Sequence, residues 1–399
     1  MPSYRDLLRD RTLRALMAAT AWSRLANRMF TVLIVLYALQ RFHSPELAGW
    51  VGFASMAPGM LVSPIAGALL DRMGALRCIA IDLAASALLI AALAALEWQG
   101  LVSQAGLLGL TAVYSLTSPL STAGIRALLP RLVPAAARDR ANALDTTCHG
   151  IVDVVGPLLA GPLIAFAGAL PSFSLVALLY ALATYTLTGQ PEPAAPATPR
   201  SHLLIEAATG LAAVLRHKTL RGLAVAYALN QAGWGILLVA VPVFVATKLG
   251  AGPATDSTVG ALWAIAGLAG SIGALAAGAM GIMHRERHVL ALGSLLGAVT
   301  LYPLGPSFGL IGLAAALVVL NGLAGPIDVA VLTLRQRRTD PGQLGRVMAV
   351  SMSLNMCGTP IGAAIGGILL THSITATFIA AALAGIAAAA ASVTFIASD

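Results

Sequence analysis

The sequence predicts an all-α membrane protein with twelve transmembrane helices, and three observations lead to this fold class. Hydrophobic residues make up 58% of the 399 positions and charged residues only 10%, whereas soluble domains carry about 25% charged residues because their surface contacts water. Apolar runs long enough to cross ~30 Å of hydrocarbon recur along the whole chain. Most of the 24 Lys and Arg residues lie in alternate connections between these runs. No sizeable soluble domain fits beside these runs, and no segment alternates in polarity as the strands of a membrane barrel do.

The apolar runs form two sets of six, separated by a proline-rich segment. The spans are expected near 13–40, 48–70, 78–97, 104–126, 142–164 and 171–189, and near 219–247, 257–280, 288–306, 308–334, 346–370 and 374–396. The predicted domains are therefore an N-terminal bundle (1–189), a linker (190–218) and a C-terminal bundle (219–399). Leucine and valine recur at helical spacing from Leu203 to Leu215 in the linker, which favours an amphipathic helix on the cytoplasmic membrane surface. A plain extension of span seven is the alternative.

The basic residues indicate the orientation of the chain. Only Arg41 and Lys248 fall in the connections on the other side, so the positive-inside rule predicts that both termini are cytoplasmic. Composition rich in alanine, glycine and arginine suggests a bacterial inner membrane. The first apolar run is long and contains charged residues, which argues against a cleaved signal peptide. We interpret the net charge of +8 as a topology signal and expect no nucleic-acid partner.

A short loop between spans two and three carries the most specific motif. It reads GALLDRMGALR from Gly67 to Arg77, and it must turn tightly between two membrane spans. The loop resembles the signature of the major facilitator superfamily, G-x-x-x-D-R-x-G-x-R/K-R/K. The residues that fit are Gly67, Asp71, Arg72, Gly74 and Arg77, while Leu76 replaces a usual base. An ordinary basic loop at the cytoplasmic face is the alternative.

The resemblance extends over the whole chain, because the two halves repeat each other at nearly constant spacing; Pro119 and Pro134 recur as Pro326 and Pro341. It implies two pseudo-symmetric six-helix bundles with a substrate site midway between them. By resemblance, the loop residues named above act as gating residues together with Asp82 and Arg346. Asp71 is expected to face Arg346 at the start of span eleven, and Asp82 is expected in the charge cluster beneath the loop.

Charged residues inside spans one and five form the first candidate site. Arg24 and Arg28 share one face of span one, and Asp145, His149 and Asp153 form one stripe on span five, because both sets follow i, i+4 spacing. Charges in the membrane call for partners, and counting residues from the helix starts predicts an Arg24–Asp153 pair. Asp145 is expected to cap span five or to pair with Arg140. The cluster fits proton coupling, since histidine titrates near neutrality, but a fixed structural pair and an anion-binding arginine pair remain open.

Span five also carries the sequence GIVDVVGPLLAG from Gly150 to Gly161. It resembles the antiporter motif of drug-exporting members of the superfamily, which ends G-P-x-x-G-G. Gly156, Pro157 and Gly161 fit, and Ala160 replaces one glycine. Small residues and a proline allow this helix to bend and to approach a neighbour. The motif favours export with proton antiport.

Polar residues in other spans that line the cavity in the family are candidates for substrate contact. They are Asn27, Asn230, Gln231, Trp234, Asn321, Asp328, Asn355 and Thr359. Amides and one indole suit a largely apolar substrate, although hydrogen bonds between helices explain each of them equally well.

The predicted function is secondary transport by alternating access, with export of small amphiphilic or drug-like molecules in exchange for protons. Uptake of an organic anion through Arg24 and Arg28 is one alternative, and a membrane sensor or assembly factor that transports nothing is another. No enzyme motif, metal spacing or nucleotide-binding domain appears in the sequence, so no catalytic residue and no cofactor are expected and a proton gradient supplies the energy. The expected partners are the substrate and the lipid bilayer, and a monomer is expected.

Overall fold

A computed structural model of the chain describes residues 9–133, 138–192, 203–280, 285–304, 307–339 and 344–396. These residues form α-helices with short connections, and no strand occurs within the described ranges. The first half contains α1 (Arg11–Phe42), α2 (Pro45–Ala54), α3 (Ala57–Met73), α4 (Ala75–Trp98), α5 (Gln104–Leu132), α6 (Arg138–Ala167) and α7 (Ala169–Leu187). The second half contains α8 (Leu203–Arg216), α9 (Lys218–Leu249), α10 (Pro253–Met280), α11 (Glu286–Val299), α12 (Gly309–Arg337), α13 (Leu344–Met356), α14 (Gly358–Leu370) and α15 (Ile374–Phe395).

The predicted spans coincide with helical segments, but not all of them are single helices. Span two is divided into α2 and α3, span nine ends in a kinked segment at Thr300–Leu304 in which Tyr302 has extended dihedral angles, and span eleven is divided into α13 and α14. Prolines explain these interruptions, because a proline supplies no backbone N–H and its ring crowds the preceding turn. Pro58 and Pro360 stand in the first turns of α3 and α14, and Pro303 lies in the kinked segment. Within the described ranges, eight helices are long and apolar enough to cross a membrane.

The linker helix is separate from span seven. Helix α8 ends at Arg216, and α9 begins at Lys218. Between them, His217 adopts extended dihedral angles, and its side chain accepts a hydrogen bond from the backbone N–H of Leu220 at 3.4 Å. This contact satisfies one of the free donors at a helix start. The predicted amphipathic helix therefore exists as its own element, and the alternative of a continuous span seven is wrong.

The chain packs as two compact units. Unit 1 contains Met1–Leu33 and Ala54–Leu203, and unit 2 contains Ile34–Phe53 and Leu204–Asp399. In unit 1, α4 packs against α5 and α7, and α3 packs against α5. In unit 2, α9 packs against α14 and α15, and α10 and α11 pack against α12.

Glycines allow the closest helix contacts within unit 2. A Cβ atom on Gly235 of α9 would lie 1.9 Å from the carbonyl oxygen of Thr359 in α14. A Cβ atom on Gly49 of α2 would lie 2.7 Å from the Cα atom of Gly367. Such backbone-to-backbone packing through small residues is typical of membrane helices, where lipid gives no hydrophobic drive between helices.

Candidate functional site

Helices α1 and α6 carry the charged residues that the sequence singles out, and the parts of the helices that bear these residues lie in unit 1. Arg24 and Arg28 stand one turn apart on α1, and Asp145, His149 and Asp153 stand one turn apart on α6. The structure brings all five together. The ion pairs among them join the two helices, so each charge has an opposite charge beside it, as low-dielectric surroundings require.

Arg24 pairs with Asp145. Its Nη1 atom lies 2.8 Å from Oδ1 and its Nη2 atom donates to Oδ2 at 3.0 Å. Nη1 also donates to the backbone carbonyl oxygen of Asp145 at 3.0 Å. The two side chains are only 22% and 24% exposed. This two-pronged geometry is the strongest form of an arginine–carboxylate contact.

Arg28 pairs with Asp153 in a more exposed position. The distance from Arg28 Nε to Asp153 Oδ1 is 2.5 Å, and the side chains are 43% and 29% exposed. His149 lies between the two pairs along α6, with its Nε2 atom 3.8 Å from Asp153 Oδ2 and half of its side chain exposed. Asp153 therefore has both a permanent cation and a titratable imidazole as neighbours.

The predicted Arg24–Asp153 pair is wrong, and Asp145 has a partner that the sequence did not suggest. Counting residues from the helix starts compared the depths of the Cα atoms only. Side chains of a helix lean toward its N-terminus, and the long arginine side chain adds several ångströms in that direction. The guanidinium group of Arg24 therefore lies closer to the start of α1 than the Cα atom of Arg24 does. At that level its neighbour on α6 is Asp145 and not Asp153.

A glycine of the antiporter-like motif permits this arrangement. A Cβ atom on Gly156 would lie 2.6 Å from the Cβ atom of Arg28, so only glycine lets α6 approach α1 at this level. Pro157 follows inside α6. Gly150 and Gly161 lie on the same helix, six residues before and five residues after the contact. The motif thus sets the distance between the helices that carry the Arg28–Asp153 pair.

Asn27 lies on α1 between the two arginines and joins a tyrosine pair. Its amide donates to the hydroxyl of Tyr114 on α5 at 2.9 Å. The hydroxyls of Tyr114 and Tyr180 lie 2.5 Å apart, and both tyrosines are buried. A hydrogen-bonded chain therefore leads from the exposed amide into the interior of unit 1.

The other candidates for substrate contact lie in unit 2, and several of them bond to neighbouring helices. Asp328 on α12 accepts a hydrogen bond from the hydroxyl of Tyr227 on α9 at 2.6 Å. Gln231, one turn after Tyr227, donates to the hydroxyl of Thr359 at 3.5 Å and to the sulfur of Met356 at 3.8 Å. These partly exposed groups form a polar stripe on α9 that faces α12 to α14.

Four further candidates have other surroundings. Asn355 is buried and accepts a hydrogen bond from Arg335 at 3.3 Å, and Asn321 donates to a carbonyl of its own helix at 2.9 Å. The rings of Trp234 and Trp263 are 6.2 Å apart. Asn230 and Trp234 line a crevice within unit 2 beside Gly297 of α11. Asn355 thus makes the bond between helices that the sequence left as the alternative, whereas the bond of Asn321 stays within its own helix.

The signature loop is held by a residue from the end of the first half. Gly74 has φ +92°, a conformation that favours glycine, and it joins α3 to α4. The backbone N–H groups of Leu76 and Arg77 both donate to the carboxylate of Glu192 at 3.2 Å. This carboxylate caps α4, and its charge suits the positive end of the helix dipole.

Other gating candidates lie partly outside the described atoms. The surroundings of Gly67 and the side chains of Asp71 and Arg346 are not described, so the predicted contact between Asp71 and Arg346 stays a prediction, and Arg72 is exposed. Because other members of the charge cluster are not described, the placement of Asp82 in that cluster also stays a prediction. Asp82 is buried, and the groups described around its carboxylate are the hydroxyls of Ser86, Thr117 and Ser121.

Sequence reasoning missed several contact residues, among them Tyr114 and Tyr180 beside Asn27, and three more in other parts of the chain. Tyr227 stands one turn before Gln231 on the polar stripe of α9, and this spacing is a signal that the sequence offered. Glu192 is the acid of a proline-rich segment, and only the return of the chain to the start of α4 shows its role. Arg335 belongs to a basic helix end, where nothing distinguishes a buried arginine from a solvated one.

Comparison with known proteins supports the family assignment. The chain matches the sequence profile described as Major Facilitator Superfamily over residues 16–222 and 223–399. It is 46% identical to the uncharacterized MFS-type transporter y4rN of Sinorhizobium fredii (strain NBRC 101917 / NGR234), over 97% of this chain and 95% of that protein.

Solved structures share the fold at low identity. The chain resembles a variant of the nucleoside transporter NupG with a TM-score of 0.78, 12% identity and coverage of 97% of this chain and 100% of that one. It also resembles a POT family transporter in complex with 5-aminolevulinic acid, with a TM-score of 0.75, 13% identity and coverage of 97% and 96%. The fold is that of these membrane transporters.

Proposed function

Because the chain belongs to the major facilitator superfamily of membrane transporters, which are not enzymes, we propose that it exports small amphiphilic or drug-like molecules in exchange for protons. Asp153 is the carboxylate that takes up and releases the proton. The protein acts as a monomer in a bacterial inner membrane with both termini cytoplasmic, and a proton gradient supplies the energy without a cofactor.

The pairing of both arginines is the observation that carries this proposal. Arg24 is matched by Asp145 and Arg28 by Asp153, so the four charges cancel and an anionic substrate would have to displace a carboxylate. A proton releases Arg28 from its carboxylate without a competing anion, because protonated Asp153 no longer neutralises Arg28. Each change of protonation therefore creates or removes one unpaired charge within the membrane, at a cost of a few kcal/mol.

The two pairs differ in a way that assigns their roles. The Arg24–Asp145 pair has two-pronged geometry and is mostly buried, whereas Arg28 is 43% exposed and Asp153 has His149 beside it. The two carboxylates are similarly exposed, at 24% and 29%, so the exposed arginine and the neighbouring imidazole assign proton exchange to Asp153, with His149 as the group that relays the proton. Arg24–Asp145 then acts as a structural pair that fixes α1 to α6.

The coupling acts through the close contact at Gly156. Release of the Arg28 guanidinium group removes the ion pair that joins α1 to α6 beside the close contact at Gly156, and the two helices can then adopt a second arrangement. Alternating access needs such a two-state element, whose equilibrium the proton biases.

Uptake of an organic anion is the second candidate, and the exposure of Arg28 favours it. The contact of Arg28 with Asp153 involves Nε, and a guanidinium group can offer its remaining donors to a carboxylate or phosphate. In this function Asp153 orients Arg28, and the substrate binds beside it.

Reconstituted liposomes with an internal pH-sensitive dye distinguish the two functions. We expect proton movement driven by cationic or neutral amphiphilic compounds, its loss in Asp153→Asn, and its retention in Asp145→Asn, which has the same chemistry on the same helix. A response to anions only that survives in Asp153→Asn and disappears in Arg28→Lys would refute proton antiport and support anion uptake.

A further inference from the structure

A buried cluster of polar side chains, the polar pocket, lies between α4 and α5 in the interior of unit 1. Asp82 of α4 is 4% exposed, and the hydroxyls of Ser86, Thr117 and Ser121 face its carboxylate. Ser86 stands one turn after Asp82, and Thr117 and Ser121 stand one turn apart on α5. The helical spacing thus places four side-chain oxygen donors around one point.

Two buried atoms of this pocket lack a hydrogen-bond partner. They are Oδ1 of Asp82 and Oγ of Ser121, and their residues are 4% and 9% exposed. A buried polar atom without a partner costs about 1–3 kcal/mol, and in native proteins a bound water or ion commonly explains it. Within the described part of the chain, no ion pair reaches Asp82, so its negative charge also requires compensation.

We propose that Asp82, Ser86, Thr117 and Ser121 form a binding site for a small monovalent cation, namely sodium. A sodium ion at this point supplies a partner for both unpaired oxygen atoms and cancels the charge of the single carboxylate. Carboxylate and hydroxyl oxygens are the ligands that hard cations prefer. A divalent cation would leave one uncompensated positive charge in the interior, which is costly.

Neutralisation by a proton explains less of the geometry. A proton on Asp82 would cancel the charge, but its one O–H group would serve a single acceptor, whereas three hydroxyl groups face the carboxylate. The other titratable groups near Asp82 are the hydroxyls of Tyr114 on α5 and Tyr180 on α7, which are neutral near pH 7. Protons therefore compete with sodium at Asp82 itself, and we expect sodium affinity to fall as the pH is lowered.

The site makes sodium a ligand of this transporter, and the proposal does not depend on proton exchange at Asp153. Its test is the thermal unfolding of the purified full-length protein in detergent, titrated with NaCl against choline chloride at constant total chloride. Sodium that binds only the folded state should raise Tm by about 2 °C for each tenfold increase above the dissociation constant. KCl should have a much smaller effect.

Variants connect the effect to the pocket. We expect Asp82→Asn to abolish the sodium-dependent shift and Ser121→Ala to raise the half-maximal concentration about tenfold, as the loss of one ligand does. Thr122→Ala is the matched control, because its exposed hydroxyl lies next to Ser121 and bonds to its own helix at 3.1 Å. Asp153→Asn should keep the shift, so failure of the antiport function leaves this proposal standing. If Asp82→Asn does not fold, the proposal is tested by the sodium titration of Ser121→Ala and by the binding of radioactive sodium to the unaltered protein.

Two results would overturn the proposal. Equal stabilisation by NaCl, KCl and choline chloride would show an effect of ionic strength alone. The second result is an infrared carbonyl band of a protonated carboxyl group that is present at neutral pH and is unaffected by sodium. If this band is absent in Asp82→Asn, a proton and not sodium neutralises Asp82.

Discussion

Replacing Asp145 with asparagine removes the charge that holds Arg24, and the structure indicates how much stability this change costs. The asparagine side chain has nearly the same shape, so packing is preserved and only the ionic contacts change. Arg24 loses a contact of 2.8 Å and a charged hydrogen bond of 3.0 Å to this side chain. Its hydrogen bond to the backbone carbonyl of residue 145 does not depend on the side-chain charge.

Charged hydrogen bonds contribute about 1.5–3 kcal/mol to stability, and removal of one partner of a fully buried pair costs about 3–5 kcal/mol. The Arg24–Asp145 pair is about one-fifth exposed, and the backbone contact remains. We therefore expect Asp145→Asn to lower the free energy of unfolding by about 1.5–3 kcal/mol. Asp153→Asn should cost only about 0.2–1 kcal/mol, because water reaches Arg28, which is 43% exposed.

The measurement is the loss of helical circular dichroism as SDS is added to the protein in mixed micelles, with both variants and the unaltered protein side by side. A double-mutant cycle of Arg24→Gln and Asp145→Asn should give a coupling energy of about 1–3 kcal/mol. The cycle of Arg24→Gln with Asp153→Asn should give a value near zero.

The two assays should therefore rank the variants in opposite order. Asp145→Asn should be the less stable protein and Asp153→Asn the less active transporter. Strong coupling of Arg24 to Asp153, or a larger loss of stability in Asp153→Asn, would refute the pairing and the separation of roles that follows from it.

Two further changes test helix contacts within the units. Gly49→Ala should lower the free energy of unfolding by about 1–3 kcal/mol, because its Cβ atom would lie 2.7 Å from the Cα atom of Gly367. The same SDS titration measures this loss. Gly109→Ala is the control and should not destabilise the protein, because a Cβ atom there meets no other atom within 4 Å. Glu192→Ala should cost about 0.5–2 kcal/mol and expose the signature loop to proteolysis, because two N–H groups at the start of α4 lose their acceptor. Glu192→Gln, which keeps a carbonyl acceptor, should show a smaller effect, and equal behaviour of both variants would argue against capping.

The sequence by itself determined the elements of the fold and the membrane class. The length of the apolar runs, the basic residues between them and the positions of the prolines act locally. The predicted spans therefore coincide with the helices other than α8, and the linker helix α8 begins where its apolar spacing begins. Helical periodicity also placed Arg24 and Arg28 on one face and the three titratable residues of α6 on another, and the structure brings both faces together.

Only the tertiary structure decided which charged groups pair and which polar groups are buried. The partner of Arg24 depends on the offset between α1 and α6, and that offset depends on the contact at Gly156 and on the direction in which an arginine side chain extends. Glu192 reaches α4 because the chain returns to that helix end after the whole first half. Asp82 looks like a loop-side charge in sequence, but it is surrounded by hydroxyls because α5 packs against its face of α4. Each of these contacts joins residues that are distant in the chain, and no local spacing encodes the register between helices.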